Sequence, residues 1–413
     1  MNTIVKNGKL LLTYEDHFET ADHDLYIAGD RIAGIGAQPE DFTADETIDA
    51  SGMLIIPGLI NAHTHVYMTV LRGVADDVPF EKWLFEGVMP KEEAMSAEEA
   101  YQSARIGLME MIRSGTTCFN DMQMFIGQAC RAAVELRIRG VSGRGLAGDL
   151  SEPVPGGSRR INEAFQEMQD FGKEPLLTFA LAPHAPYTCS EELMRRVPQL
   201  AAENGLRLHI HLSESRNEVE NCIREHGMTP IAWADHCGCF DVPAVAAHCV
   251  HVTEDDIRIL AEKHVSVASN PASNMKLGNG FAPIPEMLAA GINVCLGTDG
   301  AASNNRLNMF HEMSLMALIH KGNKEDPVSV SAAETLRMAT INGAKALGLD
   351  AGEIAPGKLA DLVFLDLSEP SLMPFNENTD PASALVYGAT GAEVDSVMVG
   401  GKMILQGRKY VNH

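Results

Sequence analysis

Pro57-Gly58-Leu59-Ile60-Asn61-Ala62-His63-Thr64-His65 closes an apolar run that starts at Met53 and ends in two histidines one residue apart. Side chains on a strand alternate between faces, so His63 and His65 point the same way and can grip one ion together. Imidazole nitrogens are common ligands for zinc and its neighbours, and the run beneath them predicts a dry floor. Two hydrogen-bonded histidines at a strand end would leave the same trace. The reading therefore depends on what the rest of the chain supplies.

Working outward, strand candidates end at His65, Asp121, Gly145, His184, His211, His248, Asn270 and Asp299, the count of a (β/α)8 barrel. Runs such as Leu176 to Ala182 and Ile292 to Leu296 are apolar without alternation, as parallel strands covered on both faces should be. Helix-period stretches lie between them: Ser96 to Arg113, Met124 to Leu136, Ser158 to Phe171, Ser190 to Asn204, Thr253 to His264 and Asn308 to Lys321. Several open on Ser, Thr or Asn, which can cap free amides. A final helix, Ser331 to Leu347, follows the eighth strand.

Both ends of the chain have a different texture. Thr3 to Val5, Lys9 to Thr13, Asp24 to Ala28 and Arg31 to Ile35 are short strands broken by Asn7-Gly8 and Gly29-Asp30. Ala360 to Leu367, Val394 to Val399 and Lys402 to Leu405 match them, with Gly400-Gly401 as a hairpin turn. The expected organisation is an α/β chain: a (β/α)8 TIM-type barrel over residues 57–355, beside a small β-sandwich built jointly from residues 1–56 and 356–413.

With 413 residues the chain can bury a large core, and its 45% hydrophobic and 21% charged content is ordinary for a globular enzyme. A formal net charge of -24 opposes extended contact with phosphate backbones or anionic lipid, so neither nucleic acid nor membrane is an expected partner. No stretch reads as a signal peptide or a membrane span, which gives a cytoplasmic expectation. The eight cysteines are scattered, with Cys237-Gly238-Cys239 the only close pair, and read as buried small residues without a disulfide framework.

The candidate chemistry sits at the strand ends, which in a barrel ring one mouth. His63 and His65, His184, His211, His248 and Asp299 come from five of the eight. In His209-Ile210-His211-Leu212-Ser213-Glu214, His209 and His211 share a face. Glu214 follows at the strand's exit, where its carboxyl could reach the attacking water without being a ligand. A mononuclear hydrolytic metal needs three or four protein ligands, an open position for water, and a group that moves protons. In Leu296-Gly297-Thr298-Asp299-Gly300 the aspartate stands between small residues after an apolar strand, where it can approach an ion or water; an Asp-Gly turn is the competing reading.

Pro57 to His65, His211 to Glu214, Ala247-His248-Cys249-Val250-His251, Ser269 to Gly280, Leu296 to Asn305 and Gly357 to Val363 together resemble the amidohydrolase superfamily. Within it they look most like the 5'-methylthioadenosine/S-adenosylhomocysteine deaminases, over nearly the whole chain. The resemblance implies that His63, His65, His211 and Asp299 bind one zinc per subunit, that Glu214 shuttles protons, and that His248 polarises the attacking water or the developing charge. Asp299 would also take the water's proton. Binuclear relatives carry a carboxylated lysine at the end of the fourth strand; His184 stands there instead, so one metal is expected. The same resemblance implies that His184 meets the purine, Glu92 binds the ribose 2'- and 3'-hydroxyls, and Arg144 approaches the ribose or its 5'-substituent. The expected partners are a small-molecule nucleoside and further copies of the chain in a homo-oligomer. Alternatives on the same fold are a 5'-deoxyadenosine deaminase and an aminohydrolase or chlorohydrolase of guanine or triazines. A catalytically dead binding protein is disfavoured because every one of these ligands is present.

Overall fold

The computed structural model describes residues 1–150 and 157–411. Eight parallel strands form the barrel: β1 (Leu59–His65), β2 (Thr116–Gln123), β3 (Arg139–Leu146), β4 (Leu177–Pro183), β5 (Arg207–Leu212), β6 (Ala244–His248), β7 (Ser266–Ser269) and β8 (Val294–Leu296). They pair in chain order, and the ring closes where Asp299 pairs with Thr64 and Gly300 with His65 on β1. The catalytic-looking aspartate is thus part of the seam. Strand β1 carries one extra residue against β2 between Asn61 and Thr64, a bulge that spans Ala62 and His63.

By period-two alternation below the strand ends, one inward layer consists of Ile60 and Ala62 with Cys118, Val141, Ala180, Val245, Ala268 and Cys295, packed on Ala344 and Leu347. Every strand but β5 contributes to this small, apolar layer. Outside it, helices follow the strands as the caps predicted. Ser96 and Glu99 make a reciprocal capping box on Ala97–Arg113, and Ser190, Thr253 and Asn308 cap Glu191–Asn204, Glu254–Glu262 and Met309–Lys324.

Two expectations need correction. The apolar run from Met53 does not lie wholly beneath the histidines: Met53–Pro57 belongs to a terminal sheet, and the chain crosses into the barrel at Gly58. A Cβ there would stand 2.0 Å from Thr117 Oγ1, so only glycine lets the two sheets approach at this point. The final helix is two helices, Ala332–Met338 and Ile341–Leu347, because the Ala339 carbonyl accepts from the Ile60 N–H at 2.8 Å instead of continuing the helical ladder.

The termini form two sheets. One has four strands, ordered Arg31–Ile35, Leu25–Ala28, Asn2–Lys6, Glu46–Asp49. The other has seven, running Lys409–Tyr410, Lys402–Gln406, Val394–Val399, Leu362–Asp366, Met53–Pro57, Lys9–Thr13, Phe18–Asp22. Val5, Leu25 and Ile27 of the first pack on Leu10, Ile55 and Phe364 of the second, which makes the expected small sandwich. The Gly400-Gly401 turn has both φ angles positive, at +54° and +70°, as a two-residue hairpin requires. All eight cysteines are buried and unbridged. No helix among the described residues is long and apolar enough to cross a membrane.

Candidate metal and substrate site

At the C-terminal mouth of the barrel, β1, β5 and the segment after β8 bring four ligand atoms together. His65 Nε2 lies 3.2 Å from His211 Nε2 and 3.3 Å from Asp299 Oδ1, while His63 Nε2 lies 3.4 Å from the same oxygen. Donors held about 2.1 Å from one tetrahedral ion stand about 3.4 Å apart, so this spacing fits a single cation. His63 Nε2 is buried with no hydrogen-bond partner, which a ligand atom without its ion should be.

The outer nitrogens fix which atom each ring presents. His65 Nδ1 donates to the Met122 carbonyl at 2.6 Å and His211 Nδ1 to the His184 carbonyl at 2.8 Å, which leaves each Nε2 with its lone pair turned inward. Asp299 Oδ2 accepts from Ser273 Oγ at 2.6 Å and Ser303 Oγ at 2.7 Å, so Oδ1 is the oxygen left to the histidines. Burial alone would raise the Asp299 carboxyl, but the neighbouring His63 and His65 imidazoles, 3.4 and 3.3 Å away, hold it well below the usual carboxylate range. Burial likewise opposes a proton on His65, yet Asp299 raises that imidazole to about 9. Asp299 therefore favours a positive charge between these rings, and a divalent cation would supply it.

Beyond the ligands, Glu214 is buried, with Oε1 accepting from Asn279 Nδ2 at 3.1 Å and Oε2 3.8 Å from His248 Nε2. Burial pushes its carboxyl up, with His248 pulling the other way, so Glu214 can hold a proton under conditions that ionise an exposed glutamate. Its position is set by Glu218, whose carboxylate accepts from the Ser213 and Glu214 N–H groups at 3.0 and 2.7 Å. Ser213, His248 and Asp299 all have positive φ, at 53°, 73° and 59°. Strained backbone at three strand ends is the cost of turning these side chains into one mouth.

The cavity above these groups is lined by His65, His184, His211, Glu214, His248 and Asp299 on its floor, and by Trp83, Leu84, Val88, Met89, Glu92 and Arg160 on its walls. His184 Nδ1 is 2.9 Å from Thr188 Oγ1, whose own hydrogen goes to the Ala185 carbonyl. The ring therefore donates from Nδ1 and keeps Nε2 as an acceptor, suited to an amino group. Burial lowers its pKa to about 3, so it is neutral. Glu92 arrives on the short helix Met89–Ala94, in the segment after β1 that crosses the mouth. Trp83 anchors that segment by donating from Nε1 to the Ala302 carbonyl at 3.2 Å.

Arg144 is not on the wall of this cavity. Its side chain leaves the outer face of β3, where Nε and Nη2 donate to Glu163 at 3.0 and 2.8 Å and Nη1 to the Gln123 carbonyl at 3.3 Å. It reaches a neighbouring groove that shares Met89, Glu92 and Arg160 with the cavity. Sequence reasoning passed over Arg160, Tyr67, Ser273, Ser303 and Glu218. Ser273 and Ser303 lie inside quoted motifs, but nothing in a spacing says which oxygen of Asp299 they would hold.

A family model described as "Amidohydrolase family" matches residues 54–404. The 5'-deoxyadenosine deaminase of Methanothermobacter thermautotrophicus is 46% identical over 92% of this chain and 89% of its own length. The 5-methylthioadenosine/S-adenosylhomocysteine deaminase of Thermoanaerobacter pseudethanolicus is 43% identical over 99% of this chain and 95% of its own. Among solved structures, an adenosine deaminase from Xanthomonas campestris with bound zinc superposes with a TM-score of 0.93 at 32% identity, covering 100% of this chain and 94% of that one.

Proposed function

Because this chain belongs to the amidohydrolase family, we propose that it is a zinc-dependent hydrolytic deaminase of adenosine-type nucleosides. It converts the adenine of 5'-methylthioadenosine, S-adenosylhomocysteine or adenosine to hypoxanthine and releases ammonia. The observation that carries the reading is the ligand cluster, with His63, His65 and Asp299 in one close group and His211 joined to it through His63 and His65, beside a buried Glu214 whose carboxyl is pushed up by burial. His63, His65, His211 and Asp299 would hold one zinc per subunit. When bound, that ion acidifies the attacking water and stabilises its negative charge.

The side chains divide the remaining work. Asp299 takes one proton from the water, and Glu214 gives its proton to N1 of the purine as water oxygen adds to C6. His248, 3.8 Å from Glu214, faces the developing charge. Glu214 recovers a proton from the new C6 hydroxyl, Asp299 passes its proton to the amino group, and ammonia leaves. The purine amino group is oriented by the acceptor nitrogen of His184, and the ribose hydroxyls by Glu92. Arg144 supports the 5' end of the nucleoside indirectly, through the groove wall it shares with Arg160 and Glu92.

Residues 57–355 form the catalytic unit in this proposal, and residues 1–56 with 356–413 the companion sandwich. Antiparallel pairing of Met53–Pro57 with Leu362–Asp366 and the change of sheet at Gly58 support that division; residues 151–156 and 412–413 lie outside the described residues. The 46% identity to a 5'-deoxyadenosine deaminase favours a second reading that differs only at the 5' position. Steady-state ammonia release from adenosine, methylthioadenosine, S-adenosylhomocysteine, 5'-deoxyadenosine and guanine, run side by side, decides between them. Turnover of guanine alone overturns the adenosine-type reading.

A further inference from the structure

We propose that His209 is a positioning residue: it fixes the tautomer of His63 and so sets how tightly that ring holds zinc. The inference rests on the reading above that His63 is a metal ligand. His209 sits on β5 two residues before His211 and on the same face, one level deeper in the barrel. Small apolar or thiol side chains from the other seven strands occupy the inner layer beneath the mouth. A fully buried imidazole is out of place there unless it does something an aliphatic side chain cannot.

What it does is visible in one contact. His209 Nε2 lies 2.7 Å from His63 Nδ1, with the two rings nearly perpendicular at 86°. For His63 to turn the lone pair of Nε2 toward a cation shared with Asp299, its hydrogen must sit on Nδ1, and that hydrogen needs an acceptor. His209 Nε2 is the acceptor. The hydrogen of the neutral His209 ring then lies on Nδ1, and that atom is buried with no hydrogen-bond partner. An unsatisfied buried donor is destabilising, so this histidine is kept at a cost to folding, which space-filling alone would not explain.

The three ligand histidines are also not supported alike. His65 and His211 are held by the backbone carbonyls of Met122 and His184, which no substitution removes. His63 alone depends on a side chain. Outer-shell partners of metal-bound histidines commonly set affinity by 10- to 100-fold, and here that control is concentrated in one residue.

The test compares His209→Leu, which fills space without accepting, with His209→Gln, whose carbonyl can accept from His63. Zinc affinity is read by chelator competition, the site by the visible spectrum of the cobalt(II) protein, and folding by circular dichroism of the metal-free chains. His209→Leu should bind zinc roughly 10- to 100-fold more weakly with an altered cobalt spectrum, and at saturating zinc should lose kcat with KM little changed. His209→Gln should recover most of the affinity. Wild-type affinity and spectrum in His209→Leu, or a folded His209→Gln no better than His209→Leu, overturns the proposal; His209→Met replaces the leucine variant if that one does not fold. His63→Ala is measured alongside. If it keeps zinc, the ligand reading itself fails; if it loses zinc while His209→Leu does not, only the role of His209 fails.

Discussion

Tyr67 donates its phenolic hydrogen to the carboxylate of Glu92 at the wall of the cavity, tying the end of β1 to the segment that crosses the mouth. Burial pushes the Glu92 carboxyl up and the Tyr67 hydrogen bond pulls it back, so the pair keeps a partly desolvated acceptor at the cavity wall. Charge-assisted hydrogen bonds contribute about 1.5 to 3 kcal/mol each. Glu92→Ala should therefore lower kcat/KM for adenosine by one to several powers of ten, and for 2'-deoxyadenosine by less. Tyr67→Phe should show the same preference with a smaller loss. Equal losses on the two nucleosides would mean that Glu92 does not read the 2'-hydroxyl.

Replacing Glu214 by Gln keeps its size and its contact with Asn279 but removes its ability to take up and give a proton. Zinc content should stay at the wild-type level while turnover falls by about 10² to 10⁴. Metal analysis beside the rate measurement checks this, and joint loss of zinc and activity would make Glu214 a ligand.

Glu312 sits on the helix Met309–Lys324 and accepts from Ala272 N at 3.1 Å and Asn304 Nδ2 at 2.7 Å, bracing the short helix Pro271–Lys276 that carries Ser273 and the loop that carries Ser303. Burial raises its carboxyl from 4.5 to about 8. A carboxyl with a higher pKa folded than unfolded binds its proton more tightly in the folded chain. Its stabilisation is complete below 4.5 and is lost as pH rises through about 8. The Tm difference between wild type and Glu312→Gln should shift against the wild type between pH 4.5 and about 8 and level off above that, by thermal unfolding at constant ionic strength. A pH-independent difference would contradict the burial of an ionisable group here.

Arg139 on β3 donates to both oxygens of Asp361, at 2.7 and 3.1 Å, and Asp361 also accepts from the Gly400 N–H at 2.7 Å. This buried pair clamps the barrel to the terminal sandwich. Removing one partner leaves an uncompensated charge, so Asp361→Ala should cost about 3 to 5 kcal/mol, read as a lower urea midpoint. Replacing both residues by apolar ones should recover much of that loss.

The sequence by itself determined the features that are local or periodic. Unalternated apolar runs marked parallel strands, their spacing gave eight of them, and Ser or Thr before helical periods marked the caps. The histidines at 63, 65 and 211, with Glu214 and Asp299, were legible because each stands where a strand stops, and the barrel gathers all such ends at one mouth. Only the tertiary structure decided what depends on a distant partner. Met53–Pro57 lies outside the barrel because it pairs with Leu362–Asp366 and with Lys9 and Leu10, and Ser331 to Leu347 broke in two because Ile60 claims the Ala339 carbonyl. Arg144 turned outward to Glu163 because alternation along β3 puts it on the helix side. His209 became the partner of His63 through a contact between residues 146 apart in the chain. Such pairings are set by which side chains meet across the closed barrel, and no spacing along one strand encodes them.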